Sequence, residues 1–491
     1  MTETVLLVGG GGREHAIARA LVGPDAESAA DCELYACAEN RNPGVTALTA
    51  GFETLDTTAP KAVVEYAERV GATIAVIGPE TPLEAGVADE LAAAGVYPFG
   101  PTAEQARIET DKAYQRRFMR EHGIPGCPDF ETFDEIERAC EYVEKHDGDL
   151  AVKPVGLTGG KGVRVIGDQL THEDAKAYLR DSNYDRVVLE ERLVGEEFTV
   201  QALVANGTVR ATPAVQDHKR AYEGDEGPNT GGMGSYSDAA LELPFLTDEE
   251  YREAVSIVEA TAAALDDADV SEGDGGSENA SAADGYTGVL YGQFMLTADG
   301  VKVVEFNARF GDPEAMNTLP ILETPLLDVL TAARDGDPLP QLTVARRATV
   351  CKYAVPAGYP DDPEAGAKVR VDEAVVERIN AQFADGEGSS PDVATDGGSG
   401  GAFPEALLFY ASVDAREDGI YTTTSRAFAV VGLAGTIADA EAVVEEVLAA
   451  AGTEGLRVRH DVGTEALVRR RVEHAEALRG SADETQEAGV D

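Results

Sequence analysis

The sequence predicts an α/β protein, on three observations. Strand and helix alternate over the first hundred residues, which is the pattern of a parallel sheet. Near Asp111 the chain shifts to a basic amphipathic helix and shorter strands around a glycine-rich turn. After about Leu330 long strands and a closing helix describe an α+β region. For a chain of 491 residues, at roughly 100 to 200 residues per domain, about three or four domains with ample core are expected.

The elements follow in order. An apolar run at residues 5–8 reads as a first strand, followed by four glycines and a helix over 14–21. Strands at 33–36 and 73–77 are separated by a helix over 61–70, and another helix is expected over 83–94. The stretch 112–122 is the basic helix. Strands at 150–154 and 162–166 flank a glycine turn, a hairpin signature, and 187–191 and 198–203 add two more. The last region carries strands at 348–355, 406–413 and 427–433 and a helix over 437–450. Residues 266–284 and 384–401, rich in Gly, Ser, Asp and Glu, hold too little apolar surface to offset the entropy of ordering. They are expected to be mobile acidic insertions, with a mobile tail after Arg479.

Composition excludes several function classes. The apolar fraction is 43%, and no run approaches the ~18 apolar residues that a membrane helix needs. No basic region precedes the first apolar run, so no signal peptide is expected and the protein is read as cytoplasmic. Lys and Arg total 40 against 90 Asp and Glu, a net charge of −50, which argues against binding a nucleic-acid backbone. The acids are dispersed rather than gathered in a tail, the pattern of a surface adapted to a salt-accumulating cytoplasm. Five scattered cysteines without a Cys-x-x-Cys pair support neither a disulfide framework nor a zinc site.

The candidate chemistry lies in four stretches. Gly9-Gly10-Gly11-Gly12-Arg13 follows a strand and opens a helix, where backbone N–H groups favour an anion. A phosphate or sugar-phosphate, a dinucleotide and a purely structural turn are the readings. The dinucleotide fingerprint fails because Glu14 or His15 stands where its third glycine should. Gly156-Leu157-Thr158-Gly159-Gly160-Lys161-Gly162 is not a P-loop, having three residues rather than four between its glycines. It reads instead as a hairpin able to fold over polyphosphate. Lys112, Lys153, Lys161 and Lys219 stand in motif-like settings in a lysine-poor chain.

The strand carrying Glu305, Asn307 and Arg309 puts all three on one face by period-two alternation. A carboxylate and an amide oxygen suit Mg²⁺, and an arginine beside them suits a transferring phosphoryl group, although such a strand is also an ordinary solvated sheet face. Gln293 on an earlier strand could lie alongside. Residues 216–220 and 227–234 form the densest polar and glycine stretch, in which His218 is either a base or a hydrogen-bonding, packing side chain.

Taken together, these motifs resemble those of the phosphoribosylamine-glycine ligases, or glycinamide ribonucleotide synthetases, of the ATP-grasp superfamily. The resemblance is carried by Gly11-Gly12-Arg13-Glu14-His15, Gly78-Pro79-Glu80, Gly159-Gly160-Lys161-Gly162-Val163, Gln216-Asp217-His218-Lys219-Arg220, Gly227-Pro228-Asn229-Thr230-Gly231-Gly232-Met233-Gly234 and residues 305–314. It implies a doubly wound N-terminal domain (1–106), an ATP-grasp core (107–330) with a small lid near 124–193, and an α+β C-terminal domain (331–491). It also implies ATP-dependent joining of glycine to 5-phosphoribosylamine through glycyl phosphate, with Mg²⁺ or Mn²⁺ and no obligate protein partner.

By the same resemblance, Lys112, Lys153, Gly159, Gly160, Lys161, Glu190, Glu191, Leu193 and Glu197 hold the nucleotide. Glu305 and Asn307 hold the metal, and Gln293, from the strand reading above, is added to them as a candidate ligand. Gly10, Gly11, Gly12, Arg13, Asp217, Lys219, Asn229, Arg309 and Asp312 hold the other substrates, with Arg309, Lys161 and Asp217 the catalytic candidates. The chain departs from the family pattern at Gly10, where asparagine is usual, and at residues 40–45, where Pro-Gly-Asn is usual. It departs again at Thr158 and Gly159, where the family has two alanines.

Overall fold

The computed structural model describes residues 2–156, 162–182, 184–272, 285–384 and 404–488. Its N-terminal sheet has five parallel strands in the order Gly51–Thr54, Cys32–Ala38, Glu3–Val8, Ile74–Ile77, Tyr97–Phe99. The strand order reverses between Glu3–Val8 and Ile74–Ile77, so the turns after those two strands open a crevice at the sheet's C-terminal edge. Gly9–Gly12 and Gly78–Glu80 are those turns. The expected helix over 83–94 is two helices, Glu80–Glu84 and Val87–Ala93. Gly86, at φ +80°, takes the left-handed conformation between them.

A second, antiparallel sheet orders Thr208–Ala211, Gly195–Ala205, Gly288–Thr297 and Gly300–Asn307. The basic helix Lys112–Glu121 starts at an Asp111 cap, whose Oδ1 accepts from the Tyr114 amide at 2.8 Å. A third sheet, Phe130–Phe133, Val187–Glu191, Leu150–Pro154 and Arg164–Val165, contains the expected hairpin, with Ala151 opposite Val165. It is covered by helices Ile136–Lys145 and His172–Asp181 and has its own apolar core, including Ala139, Val143, Leu150, Leu179 and Leu189.

The C-terminal sheet is antiparallel and reaches back in sequence: Gln216–Asp217 and Gly234–Ser237 lead through Ala348–Pro356 to Phe428–Ala434 and Glu405–Tyr410. Residues 216–237 therefore join the central glycine-rich loop to the terminal region. Helix Ile437–Ala451 packs on this sheet through Val443, Val444 and Val447.

Two boundaries differ from expectation. Helix Asp248–Glu272 runs through the start of the first acidic segment, because its apolar residues up to Leu265 are held in the core. Helix Glu465–Ala488 likewise extends beyond Arg479, whose guanidinium bonds Glu250 at 2.7 and 2.9 Å and ties the last turns to the body of the protein. Most of the two acidic segments, 273–284 and 385–403, lies outside the described residues, as do Gly159, Gly160 and Lys161 of the glycine hairpin. Among the described residues no helix is long and apolar enough to cross a membrane.

Candidate functional site

Two adjoining clefts gather most of the expected residues. The first, of about 350 Å³, runs between the hairpin sheet and the second sheet, lined by Lys153, Glu190, Glu191, Leu193, Glu197, Asn229, Gln293 and Glu305. Ala151, Val163, Met295 and Val304 supply apolar walls suited to a flat ring. The second, of about 570 Å³, lies where the N-terminal crevice meets the second and C-terminal sheets. Gly10, Gly11, Arg13, Lys112, Asn307, Arg309 and Asp312 line it, while Asp217, Lys219 and Glu305 border both clefts.

The shared wall follows from strand register. Gln293 pairs with Glu305 and Tyr291 with Asn307, so the acid, the amides and the phenol stand on facing strands. Burial pushes the Glu305 carboxyl up, but Lys219, Lys112, Lys153 and Arg309 outweigh it and bring it down to about 2. Lys219 approaches Glu305 at 3.6 Å and also donates to Gln293 Oε1. Gln293 in turn donates to Glu197 at 2.7 Å. Lys112 donates to the Gly156 carbonyl at 3.0 Å, at the entrance to the glycine hairpin.

Lys153 and Glu190 are fixed differently from a pair of free ligand contacts. Glu190 is buried between Lys153 at 2.6 Å and Arg116 at 2.7 Å. Burial would raise its pKa, yet Arg116 and Lys153 hold it below the usual carboxylate range. Its carboxylate thus anchors the cleft floor, and Lys153 also donates to the Val304 carbonyl at 3.0 Å.

In the second cleft, Asp217 Oδ1 is buried without a hydrogen-bond partner among the described residues. Burial first, then Glu314, raises its carboxyl well above the usual value. Gly232, at φ +106°, makes room for it: a Cβ there would stand 2.7 Å from Asp217 Oδ1. Asp312 is held by Tyr353 at 2.5 Å and Arg426 at 3.2 Å. Arg309 lies between Glu109 at 3.0 Å and Glu80 at 3.5 Å. Gly12 is buried at the helix start behind the cleft. His218 is buried with its ring 5.8 Å from Tyr236, and burial lowers its pKa to about 3. It is neutral at neutral pH and packs against Tyr236.

Sequence reasoning missed Arg426, Tyr353, Glu314 and Glu109, and missed the side-chain role of Glu80. The first two come from the C-terminal sheet region and carry no local motif. The altered 40–45 segment divides its work: Asn40 faces the cleft, whereas Asn42 is fully buried and structural. The Asn42 amide donates to the carbonyls of Gly10 at 3.0 Å, Tyr410 at 2.9 Å and Ala411 at 3.1 Å. Its Oδ1 accepts from the Gly44 amide at 2.9 Å.

A cleft between two antiparallel sheets, with Lys153 on one wall, Lys219 at its border and an acid and amides on its floor, is that of an ATP-grasp protein, a class that binds ATP. Residues 110–315 match the family model for the phosphoribosylglycinamide synthetase ATP-grasp (A) domain, and residues 3–109 that for its N domain. The chain belongs to the phosphoribosylamine-glycine ligase family. It is 47% identical over 480 residues to the phosphoribosylamine-glycine ligase of Methanocella arvoryzae, covering 97% of this chain and all (100%) of that one. It shares 43% over 483 residues with that of Methanothermobacter thermautotrophicus, covering 97% and 99%. Among solved structures it is similar in fold to the phosphoribosylamine-glycine ligase of Thermotoga maritima, with TM-score 0.70 and 24% identity over 93% of this chain and 99% of that one. The biotin carboxylase domain of the Hydrogenobacter thermophilus 2-oxoglutarate carboxylase is also similar in fold, with TM-score 0.63 and 14% identity over 97% and 94%.

Proposed function

We propose that this protein joins glycine to 5-phosphoribosylamine at the expense of ATP, giving glycinamide ribonucleotide, ADP and phosphate in purine biosynthesis. The observation that carries the reading is Asp217 Oδ1, a buried oxygen without a partner among the described residues, in the cleft that also holds Arg309. Such an atom calls for a ligand. An amine-bearing substrate answers the acid, and a carboxylate or acyl phosphate answers the arginine.

The glycine carboxylate attacks the γ-phosphoryl group of ATP to give glycyl phosphate, and the amine of phosphoribosylamine then displaces phosphate. No enzyme nucleophile is needed, so the chain's work is alignment and charge neutralisation. Arg309 and Lys161 neutralise the transferring group, while Asp217 and Lys219 orient the other substrates at the border of the two clefts. Gly10–Arg13, Asn229 and Asp312 complete that substrate side. The separate core that includes Ala139, Val143, Leu150, Leu179 and Leu189 supports a lid near 124–193 able to close over the nucleotide and keep water from an acyl phosphate.

The donor set fits Mg²⁺ or Mn²⁺: a carboxylate held ionised, Glu305, beside Asn307, with Gln293 across the strand pair. Among the described residues there is no group of three or more acids, histidines or cysteines to cage a cation. One or two protein oxygens with substrate phosphates is the way Mg²⁺ is usually held. When bound, the ion would offset phosphate charge.

The test is ADP release in molar KCl with MgATP, adding glycine and phosphoribosylamine separately and together. ADP that depends on both, with equal glycinamide ribonucleotide, supports the reading. ADP formed with neither, or only with another carboxylate, overturns it.

A further inference from the structure

The turn that leaves the Gly300–Asn307 strand carries Arg309, and one side chain from a different part of the chain holds that turn twice. Glu109 belongs to the short helix Arg107–Thr110, between the N-terminal sheet and the basic helix. Its Oε2 accepts from the Ala308 amide at 2.7 Å, and its Oε1 meets Arg309 Nη2 at 3.0 Å. The residue is 6% exposed. On either side, Gln115 donates to the Phe306 carbonyl at 3.1 Å and Arg13 to the Phe310 carbonyl at 3.0 Å. From the N-terminal crevice, Glu80 faces Arg309 Nε at 3.5 Å.

Glu109 lines the second cleft behind Arg309. Its two oxygens are both engaged, one on backbone and one on guanidinium. Burial pushes its carboxyl up to about 7, against the pull of Arg309 and despite the Ala308 hydrogen bond. Such placement is costly. What it yields is a fixed angle between the Arg309 guanidinium and the backbone that follows Asn307.

We propose that Glu109 is a positioning residue for Arg309: its two-handed grip sets the guanidinium against the reacting groups, from the segment linking the N-terminal and ATP-grasp regions. The inference rests on the ligase reading above. Glutamine at this position offers one acceptor and one donor, so it keeps the Ala308 bond or the Arg309 contact but not both.

The experiment compares Glu109→Gln, Arg309→Lys and the double variant in the full chain. For Glu109→Gln, kcat is expected to fall about tenfold to a hundredfold, the range of a lost charged hydrogen bond. KM for ATP stays unchanged, because the nucleotide cleft is untouched. The double variant should be no slower than the slower single variant, since both break one unit. A folded Glu109→Gln with wild-type kcat overturns the proposal, and so do single-variant losses that multiply in the double variant.

If Glu109→Gln does not fold, Glu109→Asp retracts the carboxylate by one methylene, and the same fall is expected. Amide hydrogen exchange at Ala308, faster in the variant while the rest of the strand stays protected, reads the grip without any turnover. A wild-type protein with no glycine-dependent ADP release would refute the ligase reading, and the exchange result would still stand for or against the grip.

Discussion

His15 should make this protein lose stability as the pH falls from 6.5 towards 4. Its Nδ1 accepts from the Tyr410 amide at 2.9 Å, and its ring lies edge-on to Phe409 at 5.3 Å. Gly44 presses so closely that an added Cβ would stand 1.9 Å from the ring. Burial, and then Arg19, lowers its pKa from 6.5 to about 4. Between those values the unfolded chain takes up a proton that the folded chain refuses, so the free energy of unfolding falls as pH falls. The slope is about 1.4 kcal/mol per pH unit, amounting to about 3 kcal/mol across the window, with the contribution fully present above the unfolded value. Other groups titrate there too, so the assay is a difference. Denaturant unfolding at fixed KCl is measured at several pH values for wild type and for His15→Asn, whose amide oxygen keeps an acceptor without a titrating ring. The wild type should lose about 3 kcal/mol more than the variant between pH 7 and pH 4. Parallel curves would refute the reasoning, because they would mean that the folded protein accepts the proton as readily as the unfolded chain.

Arg309→Ala should reduce turnover by roughly two orders of magnitude or more, measured as glycine-dependent ADP release; near-normal turnover would remove Arg309 from the chemistry. Asn42→Ala leaves the carbonyls of Gly10, Tyr410 and Ala411 without their shared donor. It should cost on the order of 3 kcal/mol in a denaturation experiment, whereas an unchanged midpoint would place this link outside the stability of the fold. With a net charge of −50, unfolding midpoint and activity should both rise from dilute buffer to molar KCl as screening shortens to ~3 Å. Equal stability and activity in the two buffers would dispose of the salt-adapted surface.

Much of the site was legible because its signals are local. A strand, four glycines and a helix could be placed at residues 5–21 from hydrophobic period and turn chemistry alone. Glu305 and Asn307 fell on one face by alternation, and the register that brings Gln293 opposite Glu305 agrees with that. Where a signal was local but incomplete, reading stopped short. The acidic stretch after Asp266 looked too polar to order, yet helix Asp248–Glu272 was already anchored by the apolar residues before it. The helix that runs past Arg479 has a related cause: Arg479 is anchored on Glu250, far away in sequence.

By itself the sequence determined the parallel and antiparallel halves, the glycine turns, the lysines and the acid-amide strand, because each depends on neighbours within a few residues. Only the tertiary structure decided which of these meet. It brought Gln216–Asp217 into the sheet of Ala348–Pro356, and so set Tyr353 and Arg426 on Asp312. It turned Glu190 inward to Arg116 and Lys153, and placed Glu109 against Ala308 and Arg309, far along the chain from it. The physical reason is one of range: backbone period and turn chemistry act over a few residues, whereas burial and charge pairing act through space between segments that the sequence holds far apart.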